Sequence, residues 1–393
     1  MGEKHSKNES MQEPKQNNIK QNQEENIDIK IKLSSNKENI INNKENIKYR
    51  NKINLIYYKK KDDFRANNIF GEYFVKNNKN NIDLIINGVY SQLIDKYNLK
   101  EGLNNVQLVI NNLDKLTYLN AMFFKCVSLK NIDELKYLNI EKVKDFSYMF
   151  GECESLSDLR GLENWDISNG KIFNGMFSKC TSLSDLRGLE NWDVSNATDF
   201  FFFFAGCSSL SDIKALKNWN VSKGNNFSNI FNECSTLPDL KGIEKWDVSN
   251  CNNFGSWFNN CTSLSNARGL ENWNVSNGTY FSSLFEGCTS LSDITALKNW
   301  NVSNGTSFLG IFSKCSSLSD LKGLENWNVS NGKSFNFLFN GCSSLSDITA
   351  LQKWNVSNGN DFLNTFSRCE SLSNLKGLEH WNVSNSDNFA YMF

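Results

Sequence analysis

The chain has 393 residues, a formal net charge of −1, 39% hydrophobic residues, 11 cysteines and only two histidines. No run of 18 apolar residues occurs, which excludes a helix long and greasy enough to span a bilayer. The near-zero charge hides an asymmetry, because residues 1–61 hold 14 Lys and Arg against 8 Asp and Glu, leaving the remainder acidic.

Residues 1–50 are Asn-, Lys-, Glu- and Gln-rich with scarcely an aromatic, a composition that predicts a disordered low-complexity tail. The opening Met1-Gly2-Glu3-Lys4-His5-Ser6 fits the short N-myristoylation pattern, so Gly2 is a candidate lipidation site. Membrane contact is expected only if Gly2 is acylated. No hydrophobic segment follows the first charges, so a secretory signal peptide is not expected and an intracellular setting is favoured. Cysteines in such a compartment stay reduced.

Residues 51–115 change character. Ile53–Tyr58, Tyr73–Val75, Ile82–Ile86 and Val106–Ile110 are short apolar runs divided by Asn, Lys and Gly, with Asn87-Gly88 as a tight turn. Leu93–Tyr97 reads as a short helix or another strand. This segment is predicted to be a small β-rich cap over the first repeat.

From residue 116 to 393 one unit recurs. Cys126, Cys153, Cys180, Cys207, Cys234, Cys261, Cys288, Cys315, Cys342 and Cys369 stand 27 residues apart, and nine tryptophans from Trp165 to Trp381 keep the same step. A fixed period of this length predicts a solenoid, since each unit buries its apolar face only against its neighbours. Phe146, Met149, Phe150 and Cys153 fall at i, i+3, i+4 and i+7, which predicts a short helix. The run Leu156, Leu159, Leu162, Trp165, Ile167 predicts a corner followed by a short strand at the tryptophan. The fold class expected is an α/β solenoid of about ten coils, each with one short helix and one short strand, the last copy truncated.

Stacking places identical positions above one another. The column Glu163, Glu190, Lys217, Glu244, Glu271, Lys298, Glu325, Gln352, Glu379 reads as a device that avoids like charges in contact. The position after each tryptophan is Asp166, Asp193, Asn220, Asp247 and then Asn at 274, 301, 328, 355 and 382. An Asn amide donates and accepts, so this column is expected to bond from coil to coil.

The motif Met149-Phe150, Cys153-Glu-Ser-Leu156 and Trp165-Asp-Ile-Ser-Asn169, repeated as Phe204, Cys207-Ser-Ser-Leu210 and Trp219-Asn-Val-Ser222, resembles the BspA-like leucine-rich-repeat surface proteins over about residues 116–393. Ile69-Phe70-Gly71 and Phe74-Val75-Lys76-Asn77-Asn78 resemble the leader segment that precedes such repeats. The resemblance implies surface display, adhesion or protein binding, with no enzymatic activity. This chain lacks the signal peptide or lipobox of secreted members, and Asn-Gly often stands where their repeat continues Val-Thr.

No catalytic, cofactor-binding or metal-ligating set is expected. Catalysis needs unlike groups brought together, and a repeat supplies the same groups again and again. No Cys-x-x-Cys pair occurs, His5 and His380 are far apart, and no Lys/Arg stripe suited to nucleic acid is read from the repeat. Cys251 has no repeat counterpart and reads as a loop thiol. Sequons such as Asn220-Val-Ser222 are glycosylation candidates only in a secreted chain.

The candidate binding residues are those that break the pattern. Two positions per copy that are usually small or polar are Phe201 and Phe202 in one coil, and Tyr148 and Phe337 occupy matching sites elsewhere. Exposed aromatics on a polar face predict a protein-contact surface, for a partner of unknown identity or for self-association. The function expected is non-catalytic protein binding or scaffolding; the alternatives are a structural spacer, or an adhesin if a signal sequence precedes this chain.

Overall fold

The computed structural model describes residues 52–63 and 67–393. The tail at 1–50, and Gly2 with it, lies outside the described residues.

The first part carries the regular secondary structure. Strands β1 (Lys52–Lys59), β3 (Ile82–Ile86), β4 (Val89–Gln92), β6 (Gly102–Ile110) and β7 (Leu129–Asn131) form one sheet in the order β4-β3-β6-β1-β7, and β2 (Asn67–Asn68) pairs with β5 (Lys96–Tyr97). Three of the four predicted apolar runs are strands here. The fourth is not: Tyr73–Val75 lies in the helix α1 (Glu72–Asn78), with Phe74 buried. Asn87 and Gly88 adopt φ of 49° and 86° and join β3 to β4, the primed turn that suits a two-residue hairpin. The sheet does not stop at the first repeat. Strand β7 belongs to the coil of Cys126 and pairs with β1, and the Tyr58 N–H donates to the Ser128 carbonyl at 2.7 Å. Phe70 and Phe123 continue the contact at 5.7 Å.

From there to Phe393 the chain runs as 27-residue coils laid one on the next. The N–H groups of Phe146, Tyr148, Phe150 and Glu152 donate to the carbonyls of Ile172, Asn174, Met176 and Ser178 in the following coil, at 2.7–2.9 Å. The same four bonds recur from Phe173, Gly175, Phe177 and Lys179 to Asp199, Phe201, Phe203 and Ala205. Isolated parallel bridges mark the stack from Asp145↔Ile172 through to Asp361↔Asn388.

These bonds overturn the expected helix. Its i, i+3, i+4, i+7 residues are buried as the spacing requires, yet every second N–H points to the next coil and is lost to any i−4 carbonyl. The chain advances by consecutive tight turns instead, with Met149 N–H to Phe146 O and Cys153 N–H to Phe150 O at 3.1 Å. Two left-handed residues per coil make this possible, at Tyr148 (φ 53°) and Glu152 (φ 60°) in this copy. The expected strand at the tryptophan is absent as well; most bridges run through the Asp145 position, and three more join Asp185–Asp212, Asn266–Asp293 and Asp320–Asp347.

Rings fill the stack. Phe146–Phe173 and Phe308–Phe335 stack at 5.1 and 5.5 Å, and Trp165–Trp192 at 6.4 Å with planes 4° apart. Each indole N–H of the nine-tryptophan column finds a carbonyl in the preceding coil, as in Trp192 Nε1 to Leu162 O at 3.0 Å, whereas Trp257 donates within its own coil to Asn253 O. That bond removes the cost of burying the indole's donor.

Two expected columns work differently. The Asx position after each tryptophan accepts a bond from the N–H two residues on, as from Ser222 to Asn220 Oδ1 and from Ser195 to Asp193 Oδ1. Asp and Asn interchange there because both offer Oδ1. The coil-to-coil ladder lies three residues later, where Asn169, Asn196, Asn250, Asn277 and Asn304 donate Nδ2 to a carbonyl one coil back at 2.6–3.0 Å.

The Glu/Lys column follows local geometry, too. Where the residue two before is Gly at φ 106–119°, as at Gly188, Gly242, Gly269, Gly323 and Gly377, the acid caps that glycine's N–H. Where it is Ala215, Ala296 or Ala350, the segment closes as a 3-10 helix, and Lys217, Lys298 or Gln352 replaces the acid. An alanine Cβ at the Gly242 position would collide with the Ile213 carbonyl. Gly242→Ala is therefore expected to cost about 2 kcal/mol or more, whereas Ala215→Gly costs about 1 kcal/mol or less. Chemical denaturation of the two variants checks this, and equal losses would contradict it.

Candidate functional site

The first left-handed column runs Ala121, Tyr148, Gly175, Phe202, Asn229, Ser256, Ser283, Gly310, Phe337, Asn364, Tyr391, all with φ between 53° and 61°. Gly and Asn suit that conformation, whereas a bulky aromatic is strained in it by about 1–2 kcal/mol. Three of the four predicted contact residues, Tyr148, Phe202 and Phe337, occupy this column. All three are half-buried, so they are neither core nor fully exposed. Tyr391, at the last position described in the column, is 76% exposed.

Phe201 stands one position earlier and is also half-buried. Its ring packs edge-to-face on Phe202 at 4.3 Å. Its neighbours in its own column are Asn174 and Ser228, and here the packing is at odds with the polar groups. Asn174 Oδ1 and Ser228 Oγ are buried without hydrogen-bond partners, two of only three such side-chain atoms among the described residues. A hydrocarbon ring between them offers neither a donor nor an acceptor. Each orphaned atom costs about 1–3 kcal/mol relative to a bonded one. The strained Phe202 and the two orphans next to Phe201 fall within one coil and its immediate neighbours.

Beside that coil lies an open cleft of about 390 Å³, lined by Phe124, Tyr148, Glu152, Lys179, Phe202 and Glu233 among others. Tyr148 and Phe202 meet the cleft from the two sides of Gly175. The Tyr148 ring lies over Gly175, where any Cβ would strike it. Phe124 packs edge-to-face on Tyr148 at 5.6 Å, and Lys125 Nζ sits 5.0 Å from the Phe124 ring centre. Lys179 Nζ is 3.8 Å from Glu152 Oε1. Phe337 is five coils away and does not reach this cleft. Phe201 supports Phe202 from the other side. The glycine opposite Tyr148, and the orphaned Asn174 and Ser228, are features that the sequence alone did not reveal.

A basic stripe does exist, contrary to the sequence reading. Arg160, Arg187, Lys214, Lys241, Arg268, Lys322 and Lys376 form one column of cations. It was hidden because most of these cations follow an acid by two residues and bind it, as in Lys214 Nζ–Asp212 at 2.8 Å and Lys241 Nζ–Asp239 at 2.8 Å, while Arg268 follows Asn266 and reaches Asp293 of the next coil at 3.5 Å. Where Thr295 and Thr349 replace the cation, their hydroxyls bond Asp293 and Asp347 instead. Six of the seven cations are thus paired with a carboxylate in place.

The ten-cysteine column is buried but for the half-buried Cys369, and all of its thiols are free. From Cys153 onward each Sγ donates to a carbonyl 30 residues earlier, as in Cys180 to Phe150 O at 3.2 Å. Burial pushes the Cys207 and Cys261 thiols up to about 12, so they act as neutral donors. Cys251 lies in a loop, but it is not exposed. It is buried at the position that is Gly224 and Gly278 in the adjacent coils. Among the described residues no group of three or more His, Cys, Asp or Glu is arranged to hold a metal ion, and no helix is long and apolar enough to cross a membrane.

A family model described as "Mycoplasma protein of unknown function, DUF285" matches the chain four times, at residues 96–215, 203–322, 239–347 and 310–393. The overlapping matches bear out the repeat. No curated protein and no solved structure matched.

Two outcomes follow from these columns. The folded protein at pH 8 should leave its column thiols unlabelled by maleimide, Cys369 reacting first, while unfolding without reductant releases all 11 thiols. Recovery of far fewer thiols after unfolding would show disulfides. The carboxyls of Asp212 and Asp239 are raised by burial but pulled further down by Lys214 and Lys241, and those of Asp293 and Asp347 are lowered by their threonines, so all four lie below the ordinary value. A lowered folded pKa gives stability that is present above about pH 4 and is lost as the carboxylates protonate below it. A melting temperature flat from about pH 8 to 5 and falling below about pH 4 is expected; a rise on acidification would contradict it.

Proposed function

The chain belongs to the DUF285 family, and we propose that it is a non-catalytic recognition scaffold, a leucine-rich-repeat-like solenoid that presents a protein-binding surface centred on Phe201 and Phe202. One observation carries the reading. Strained aromatics recur in the stack at Tyr148, Phe202 and Phe337, but only the coil of Phe202 also has a buried, orphaned polar atom in the coil on either side, and it lies next to an open aromatic cleft. Local conflict in an otherwise self-consistent repeat marks a place kept for something other than stability. The free, buried thiols suit a reducing compartment, so the proposal is for a protein working inside the cell. A partner covering Phe201 and Phe202 would bury two aromatic rings, the residue class that dominates binding hot spots.

The next coil supplies the control. It reads Ser228-Asn229 at the positions of Phe201-Phe202, and Asn229 sits at φ 61° without a bulky ring. The double variant Phe201→Ser, Phe202→Asn relieves the αL strain and gives Asn174 and Ser228 a polar neighbour. Its melting temperature is expected to equal or exceed that of the parent, while its capture of a partner from an extract of its own source cells, or its self-association by sedimentation, is lost. A melting temperature several degrees lower would mean that the rings are core; retained binding would place the surface elsewhere.

A further inference from the structure

We propose that the cleft beside Phe202 takes the Lys or Arg side chain of an extended polypeptide partner, its aliphatic stem on the rings of Tyr148 and Phe202 and its cation at Glu233; this rests on the reading of Phe202 as a recognition residue.

The charge pattern of the cleft selects the ligand. The second left-handed column runs Lys125, Glu152, Lys179, Gly206, Glu233. Lys179 is committed to Glu152 at 3.8 Å, and its stem lies over Gly206, where a Cβ would fall within 2.8 Å of Lys179 Cγ. Glu233 has no ion pair among the described residues and is exposed on the cleft wall. The charge left over is therefore negative. An anionic ligand would find its one cation, Lys179, already paired.

The rings point the same way. An aromatic face attracts a cation through its quadrupole, and the chain already uses this face so, with the Lys125 ammonium 5.0 Å from the Phe124 ring centre at the end of the same aromatic row. A ligand cation with a hydrocarbon stem suits a cleft with rings on its floor and sides and a carboxylate at its rim. A long flexible side chain from an extended backbone can reach such a slot while the backbone stays outside.

The test uses the full chain and three dye-labelled, capped Gly/Ser octapeptides whose central residue is Arg, citrulline or Glu, titrated by fluorescence anisotropy. The Arg peptide is expected to bind about five- to tenfold more tightly than the citrulline peptide at roughly 50 mM salt, with the preference shrinking at roughly 500 mM. Glu233→Gln should remove the preference for Arg and leave citrulline binding as it was. Phe202→Asn should weaken the Arg and citrulline peptides alike without lowering the melting temperature. Equal binding of Arg and citrulline peptides, tightest binding by the Glu peptide, or no binding of any of the three at millimolar concentration overturns the cation assignment. If the Arg preference is absent but Phe202→Asn still abolishes capture of the natural partner, the recognition surface stands and only its ligand class is wrong. Loss of neither brings down both.

Discussion

The constraint on which everything else depends is the hand-over of backbone N–H groups from one coil to the next. Three or four N–H groups per coil, on alternate residues, reach carbonyls 26 positions ahead. A chain that spends its donors this way cannot form a helix, yet it must turn tightly enough to close a coil in 27 residues. Left-handed residues at two fixed positions meet both demands, because they reverse the chain's curvature between successive turns. The 27-residue register follows: one inserted residue would put every donor out of reach of its acceptor. Ring columns, indole bonds and the asparagine ladder then repeat because the backbone does.

Burial was legible in the sequence and conformation was not. The periods that picked out Phe146, Met149, Phe150, Cys153, Trp165 and Ile167 identify buried positions correctly. A spacing of three, four and seven is what a helix gives, and also what consecutive turns give when each turn advances three or four residues. The signal that separates them lay in the other residues. Gly175, Asn229, Gly310 and Asn364 share one column, which is a glycine and asparagine preference that a helix has no use for. The interchange of Glu and Lys in a third column likewise looked like charge avoidance until the Gly or Ala two residues earlier explained it. Mutual bonding between Asp212 and Lys214, and along the same column, hid a row of cations that a reading by net charge could not see.

The candidate site was legible as an exception and illegible as a conflict. Phe201 and Phe202 stood out by residue type alone. That Phe202 is held at φ 57°, and that Phe201 separates Asn174 from Ser228, depends on which residues lie one coil above and below. These features are costly in the free protein. Ring strain with an orphaned polar atom on either side is better explained by a requirement of binding than by packing, since the adjacent coil, with Asn229 at the left-handed position, does without the strained ring.

That account makes this coil the weak point of the stack, and amide hydrogen exchange measures the weakness directly. The segment 199–207 should exchange faster in the free protein than its counterparts 253–261 and 280–288, because the left-handed strain at Phe202, absent at Ser256 and Ser283, lowers its local opening free energy. Protection equal to or greater than that of those counterparts would contradict the claim that stability is given up here for recognition.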